Sequence, residues 1–509
     1  MLAMNSIARK ANSTALTMAV LMAGTFVFVL DFFIVNVAIP STQAELGATD
    51  SQIQLVVATY AIAIASLLIL GGRLGDLFGR RRVFMVGLAL FTASSALCGA
   101  APGITTLLVG RVLQGIGAAL FAPQVLSIIG VTFDGDERRR AVTTYGLVMG
   151  LAAAGGQLIG GALIALDLLG LDWRACYLVN VPIGIAALAL APRAIAESTA
   201  ATSLPNSTAS TAAAPAPDSI SQRPRAGAGE RLDVLGAALA GATLVAIVLP
   251  LVEGRHQGWP LWTFASLAAA VPLAAAFALR QRRLAATGGA PLVHPELFRE
   301  RAFTVGVLTS VVFYAGMASF FLVLAVYLQE GCGLSALDSG LVFTALAAGY
   351  LVASAAAEAL APRFGRQVLA AGGIVRATAL TGLALTVGAI GTGGSPLLLI
   401  PALAVDGIGM GLLTAPLVAT VVGGMDPRHA GAASGVLSTA QQVGNTVGVA
   451  VIGAIFYGAI GPHGDYAGAF ELALVAVAVV CLAVAALVQL LPGRSAAAPS
   501  PVRPTPQTD

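Results

Sequence analysis

The chain has 509 residues, 57% of them hydrophobic and 10% charged, with a net charge of +3 and a mean hydropathy of +0.89. That composition excludes a water-soluble fold of this length and describes a polytopic membrane protein. The basic residues, all arginine except Lys10, form no tract able to grip nucleic acid, so the lipid bilayer is an expected partner and nucleic acid is not.

A membrane-crossing helix needs about 20 apolar residues to cover ~30 Å of hydrocarbon. This criterion predicts fourteen spans, at 16–40, 51–71, 83–101, 104–130, 141–166, 174–192, 232–251, 261–279, 302–328, 338–361, 368–392, 397–423, 430–459 and 468–491. The first carries Asp31 in its outer half, where an ionised carboxylate costs about 2.5–3.5 kcal/mol. Asp31 must therefore face the bundle interior with a partner or be protonated, which makes it a candidate proton carrier. The alternative is a structural carboxylate bonded to a neighbouring helix. Between the second and third spans, Gly71 to Arg82 hold the densest charge in the chain. The arginines keep this turn at the water interface, and its glycines permit a sharp reversal.

The fourth span opens with Arg111, followed by Gln114, Gly115, Ala118 and Ala122 on one stripe. A permanent charge on a small-residue face either meets a carboxylate or snorkels to the interface. On the fifth span Gly146, Gly150, Ala153, Gln157, Gly160 and Gly161 share a face, with Gly156 beside them. That face gives either a flexible helix or a closely packed one. Arg376 and Asp406 are possible buried charges on the eleventh and twelfth spans, at different predicted depths. On the thirteenth, Ser438, Gln441, Gln442, Asn445 and Gly448 cluster. With Gln114 and Gln157, its polar residues are the candidates to line a substrate cavity.

Residues 193–231 are rich in Ala, Ser, Thr and Pro and read as a flexible cytoplasmic linker, as does the tail 492–509. Arginines at 73, 80–82, 138–140, 282 and 363 fall on one side, and only Arg174 and Arg255 on the other, which predicts that both termini are cytoplasmic. Asn206-Ser207-Thr208 then matches a glycosylation sequon on the wrong side to be used. Four dispersed cysteines and four histidines, His256, His294, His429 and His463, show no metal-ligand spacing.

The chain also repeats. Phe78-Gly79-Arg80 recurs as Phe364-Gly365-Arg366, and Gly115-Ile116-Gly117 as Gly407-Ile408-Gly409. The expected organisation is an N-terminus 1–15, a six-helix half 16–192, the linker, an inserted helix pair with its loop 232–301, and a second six-helix half 302–491. Two halves in parallel repeat form an all-α fold with the axis along the membrane normal. Pro362 stands in the second copy where Asp76 stands in the first.

Gly72, Leu74, Asp76, Gly79, Arg80 and Arg81 fit G-x-L-x-D-x-x-G-[RK]-[RK], which resembles the signature loop of the major facilitator superfamily. Leu30 to Pro40 is similar to the first-helix motif of its fourteen-helix drug:proton antiporters, L-D-x-x-[IV]-V-N-V-A-[LI]-P. Arg111 to Gly117 is similar to R-x-x-Q-G-x-G, which that family associates with proton transfer. Asn180-Val181-Pro182-Ile183-Gly184 also resembles the family. Gly156 to Gly161 departs from G-P-x-x-G-G, since Gln157 replaces the proline.

The resemblance implies proton-coupled drug efflux from a bacterial plasma membrane by a monomer that needs no cofactor beyond the proton gradient. Asp31 and Arg111 would couple protons; Gly72, Asp76, Gly79, Arg80 and Arg81 would form a conformational switch loop. The substrate would be hydrophobic or cationic and would compete with the proton for a shared cavity. An exporter or importer of an endogenous metabolite would have the same fold. An enzyme is not expected, because clustered His, Asp or Cys is lacking.

Overall fold

The computed structural model describes residues 2–198, 232–423, 430–461 and 464–491. Most of the linker with its sequon, the tail, Arg428, His429 and His463 lie outside the described residues, as do the side chains of Arg255, Glu358 and Pro362. The described residues form helices and no β-strand. Backbone amides in hydrocarbon have no water to bond, so each apolar run must satisfy its own amides as a helix.

The first half comprises α1 (Leu2–Leu46), α2 (Asp50–Phe78), α3 (Arg80–Gly99), α4 (Ile104–Thr132), α5 (Gly135–Leu166), α6 (Arg174–Leu178) and α7 (Asn180–Ala194). The inserted pair is α8 (Val234–His256) and α9 (Leu261–Ala286). The second half comprises α10 (Arg301–Val326), α11 (Ala336–Phe364), α12 (Arg366–Ile390), α13 (Ile400–Gly423), α14 (Ala430–Ile460) and α15 (Tyr466–Val488). Thirteen spans among the described residues are long and apolar enough to cross a membrane, with α6 and α7 sharing one. The two arms of α5, bent by 43° between Ala153 and Gly155, make the fourteenth. The bend falls among Gly150, Gly155 and Gly156, where missing side chains remove the packing that keeps a helix straight.

The helices run further than hydropathy predicted. Pro40 does not end α1, which continues to Leu46, so Asp31 falls near the middle of the Thr14–Leu46 span rather than in its outer half. The next helix starts with a capping box in which Thr49 and Gln52 bond each other's backbone amides.

The halves share one pattern of packing. In the first, α1 lies along α5, α2 along α4, and α3 along α4 and α7; in the second, α10 lies along α14, α11 along α13, and α12 along α13 and α15. The halves meet along two matching seams, α5 against α11 and α2 against α14. The inserted α8 packs over the second seam, touching both α2 and α14, while α9 leans on α8 and turns Leu261, Phe264 and Val271 outward. At the base of this hairpin, Asp233 receives Arg280 at 2.5 Å and Gln281 at 2.7 Å.

Candidate proton and substrate sites

Asp31 is fully buried and lies at the centre of a closed polar cluster. An Nη of Arg111 reaches its Oδ2 at 2.6 Å, while Gln114 and Asn180 donate to its Oδ1 at 2.7 and 2.9 Å. Arg111 also donates to the Val56 carbonyl at 3.0 Å and lies 4.1 Å over the Tyr60 ring. Gln114 and Asn180 each donate to the Ser95 hydroxyl at 3.1 Å, and that hydroxyl donates to the Tyr177 carbonyl at 2.8 Å. The cluster thereby ties α1 to α2, α3, α4 and the α6–α7 span. Arg111 is 1% exposed, so it does not snorkel; it is the counter-charge that makes a buried carboxylate tolerable. Asn180, Ser95 and Tyr60 were not among the sequence candidates. The Asn180-Val181-Pro182 motif was the available signal for the first, and nothing local distinguished the other two.

The second half holds a different pair at the corresponding place. Arg376 Nε meets Asp406 Oδ1 at 2.9 Å, with both residues fully buried, so the two possible charges do pair despite their different predicted depths. Asp406 immediately precedes Gly407 as Gln114 precedes Gly115. A Cβ on Gly117 would lie 2.6 Å from the Phe91 amide nitrogen and 2.8 Å from the Gly87 oxygen; one on Gly409 would lie 2.8 Å from both the Arg376 nitrogen and the Gly372 oxygen. Arg376 and Asp406 thus stand where the first half has Phe91 and Gln114. Unlike the Asp31 cluster, this pair leaves both Nη atoms of Arg376 and Oδ2 of Asp406 without partners among the described residues.

Between the halves lies a cleft with about 910 Å³ of atom-free space. The first half contributes Phe28, Phe32 and Phe33 of α1 and Met149 and Gly150 of α5. The second contributes Tyr314, Met317 and Phe321 of α10, Tyr350 of α11, and Met410 and Thr414 of α13. Gln441, Gln442 and Asn445 of α14 form its polar edge, with Asn445 donating to Gln442 at 2.8 Å. Away from the basic loop the cleft is shut. Phe33 packs on Phe321 with centroids 5.0 Å apart, Gln329 donates to the Val37 carbonyl at 3.2 Å, and Gly161 sits against the Ala336 backbone of α11. Toward the basic loop, Val142, Gly146 and Leu147 of α5 are exposed.

The predicted cavity residues separate in the structure. Gln441, Gln442 and Asn445 line the cleft, and Ser438, half-buried, lies one turn nearer the basic loop. Gln114 does not line it, because its amide is consumed by Asp31 and Ser95. Gln157 does not line it either. It is buried in the shut end, where a Cβ on Gly340 would lie 2.7 Å from its carbonyl oxygen, and its side-chain amide has no partner among the described residues. Asp31 is also absent from the lining, since it points from the reverse face of α1, behind Phe28 and Phe32. Asp31 and the cleft, which the sequence reading placed in one shared cavity, lie on opposite faces of α1.

In the turn between α2 and α3, the candidate switch loop, Gly79 turns with φ +103°, and Arg80 bonds Asp76 at 2.8 Å. A residue the sequence did not flag, Glu197 beyond α7, accepts the Arg81 amide at 3.1 Å and lies 3.6 and 3.7 Å from the Arg81 and Arg82 guanidiniums. Gly72 faces Pro123. Those bonds all stay within the first half, whereas Arg73 donates to the Ala290 carbonyl at 2.8 Å and so ties the loop to the inserted hairpin. Of the α5 glycines, Gly156 and Gly160 let α5 press on Phe33, Ile34 and Val37 of α1, Gly150 lines the cleft, and Gly146 faces open space.

Comparison with known proteins accords with this architecture. The chain is 36% identical to the "Probable actinorhodin transporter" of Streptomyces coelicolor over 87% of this chain and 72% of that one. It is 34% identical to the "Cephamycin export protein CmcT" of Amycolatopsis lactamdurans over 96% of each. A crystal structure of an auto-inhibited POT family peptide transporter shares the fold, with TM-score 0.66 at 16% identity over 96% of this chain and 99% of the other. The family model of the Major Facilitator Superfamily matches residues 21–318 and 306–508, and the chain belongs to that superfamily of membrane transporters.

Proposed function

We propose that the chain exports small hydrophobic organic molecules across a bacterial plasma membrane in exchange for protons, as a monomer, by alternating access of its two halves. The observation that carries this reading is the fully buried Asp31, bonded by Arg111, Gln114 and Asn180 on the reverse of the α1 face that lines the cleft. Protonation removes the charge those donors bind, which loosens α1 from α4 and α7 and shifts Phe28 and Phe32 with it. Substrate in the cleft acts on the same helix from the other side, so occupancy of one site disfavours occupancy of the other and the two ligands cross in turn.

The arginine-rich loops at the open end support a cytoplasmic placement of both termini, with the cleft open inward. The relatives' names support the outward direction. Each charge moved across 100 mV supplies about 2.3 kcal/mol, enough for a roughly 50-fold gradient of substrate. The switch loop around Asp76 and Arg80 fastens the inner ends of the first-half helices as the halves rock. Proteoliposomes loaded with a pH-sensitive dye test the reading. Substrate should release protons from the wild type and none from Asp31→Asn, which should still exchange labelled for unlabelled substrate. Coupled transport by Asp31→Asn at the wild-type rate rules the proton role out.

A further inference from the structure

The cleft specifies the kind of molecule it takes. Its walls are aromatic on both sides, with Phe28, Phe32 and Phe33 facing Tyr314, Phe321 and Tyr350. Three thioethers, Met149, Met317 and Met410, also line it. Methionine adapts its shape and makes favourable sulfur–aromatic contacts, so such walls grip flat rings of varied outline. Among the described lining residues, the polar groups are Gln441, Gln442, Asn445 and Thr414, together with the Tyr314 and Tyr350 hydroxyls. Among the described residues, no Asp, Glu, Arg, Lys or His lines the cleft.

The buried acids Asp31 of α1 and Asp406 of α13 are already paired. Asp31 is neutralised by Arg111 behind α1, and Asp406 by Arg376 behind α10 and α13. An organic cation entering this cleft would lose water without gaining a counter-charge, a penalty of several kcal/mol per ion in real proteins. Cation–π contact with a ring returns only about 0.5–2 kcal/mol. A neutral polycycle gives up little on entering, and its carbonyl or hydroxyl edge finds amides in Gln441, Gln442 and Asn445.

We infer that the substrates are flat, uncharged, fused-ring aromatic compounds bearing carbonyl or hydroxyl groups along one edge, and that permanent cations are rejected. This rests on the export reading above, and it selects the hydrophobic member of the two substrate types the sequence allowed. It also makes the exchange of one proton for one substrate electrogenic, since only the proton carries charge.

Acridone and 10-methylacridinium test the inference, because both are fluorescent tricycles of nearly the same outline and only the second is a cation. Fluorescence polarisation with the purified full chain reads binding, and proteoliposomes read transport. Acridone should bind at least about tenfold more tightly than 10-methylacridinium, and Gln442→Leu should weaken acridone by a similar factor through loss of a buried hydrogen bond. Met317→Glu, which places an acid in the wall, should reverse the preference. Equal or tighter binding of 10-methylacridinium by the wild type, or no binding of acridone, overturns the inference. Acridone binding with no proton-coupled movement upholds the preference and sinks the export reading instead, so the two fail separately.

Discussion

The Arg376–Asp406 pair allows the second half to be rewritten with the first half's own residues. Asp406 is fully buried, and its bond from Arg376 Nε is 2.9 Å long, with its other oxygen and both arginine Nη atoms unpartnered among the described residues. Arg376→Phe alone leaves a carboxylate in the apolar interior with no counter-charge, which costs about 3–5 kcal/mol. Asp406→Gln alone strands the guanidinium between Phe313 and Phe320 at a comparable cost. The double variant installs the counterparts of Phe91 and Gln114, and replacing a whole buried pair is neutral or stabilising by about 1–4 kcal/mol. Equilibrium unfolding of the four proteins in mixed micelles, by increasing sodium dodecyl sulfate, gives the coupling energy directly. The expected coupling is about 3 kcal/mol or more, with the double variant still transporting in vesicles. If the double variant loses the sum of the two single losses, the assignment of the pair as a self-contained structural unit is wrong.

Other consequences are as direct. Leucine at Gly161 meets the Ala336 backbone, so Gly161→Leu should hold the far end open. In a cysteine-free background, a thiol introduced by Gln157→Cys should then react several-fold faster with a membrane-impermeant maleimide; unchanged labelling refutes it. At the hairpin base burial works against the Asp233 charge, yet bonds from Arg280, Gln281 and the Gly236 amide outweigh it and hold the carboxyl below the ordinary value. A depressed pKa contributes stability above the unfolded value of about 3.9 that disappears as pH falls through the folded value. The thermal midpoint of the wild type should therefore exceed that of Asp233→Asn by a constant margin near neutrality, and the margin should shrink only below that value. Glu197→Gln should loosen the switch loop, by no more than about 1 kcal/mol because the arginines it meets are partly solvated. Faster amide exchange at Arg81 is the readout, and unchanged exchange refutes the clamp.

Much of this protein was legible in one dimension. Hydrocarbon leaves a backbone little choice but the helix, so apolar runs of sufficient length placed the spans, and the recurrence of Phe-Gly-Arg and Gly-Ile-Gly exposed the duplication. Asp31 and Arg111 stood out because a charge in such a run requires a reason. Direction and depth were not legible. Whether Asp31 faces the cleft or the interior of its half depends on how α1 rolls between α4, α7 and α10, and a hydrophobic pattern that is apolar all round fixes no such angle. For the same reason the sequence put Gln114 and Gln157 in the cavity and overlooked Phe28, Phe32 and Tyr350. Amides attract notice in an apolar helix and aromatics do not, yet the packing of neighbouring helices decides which of them the cleft meets. The pairing of Arg376 with Asp406 was likewise settled by the close approach of α12 to α13 at Gly409, a contact between residues 33 apart that no local pattern encodes.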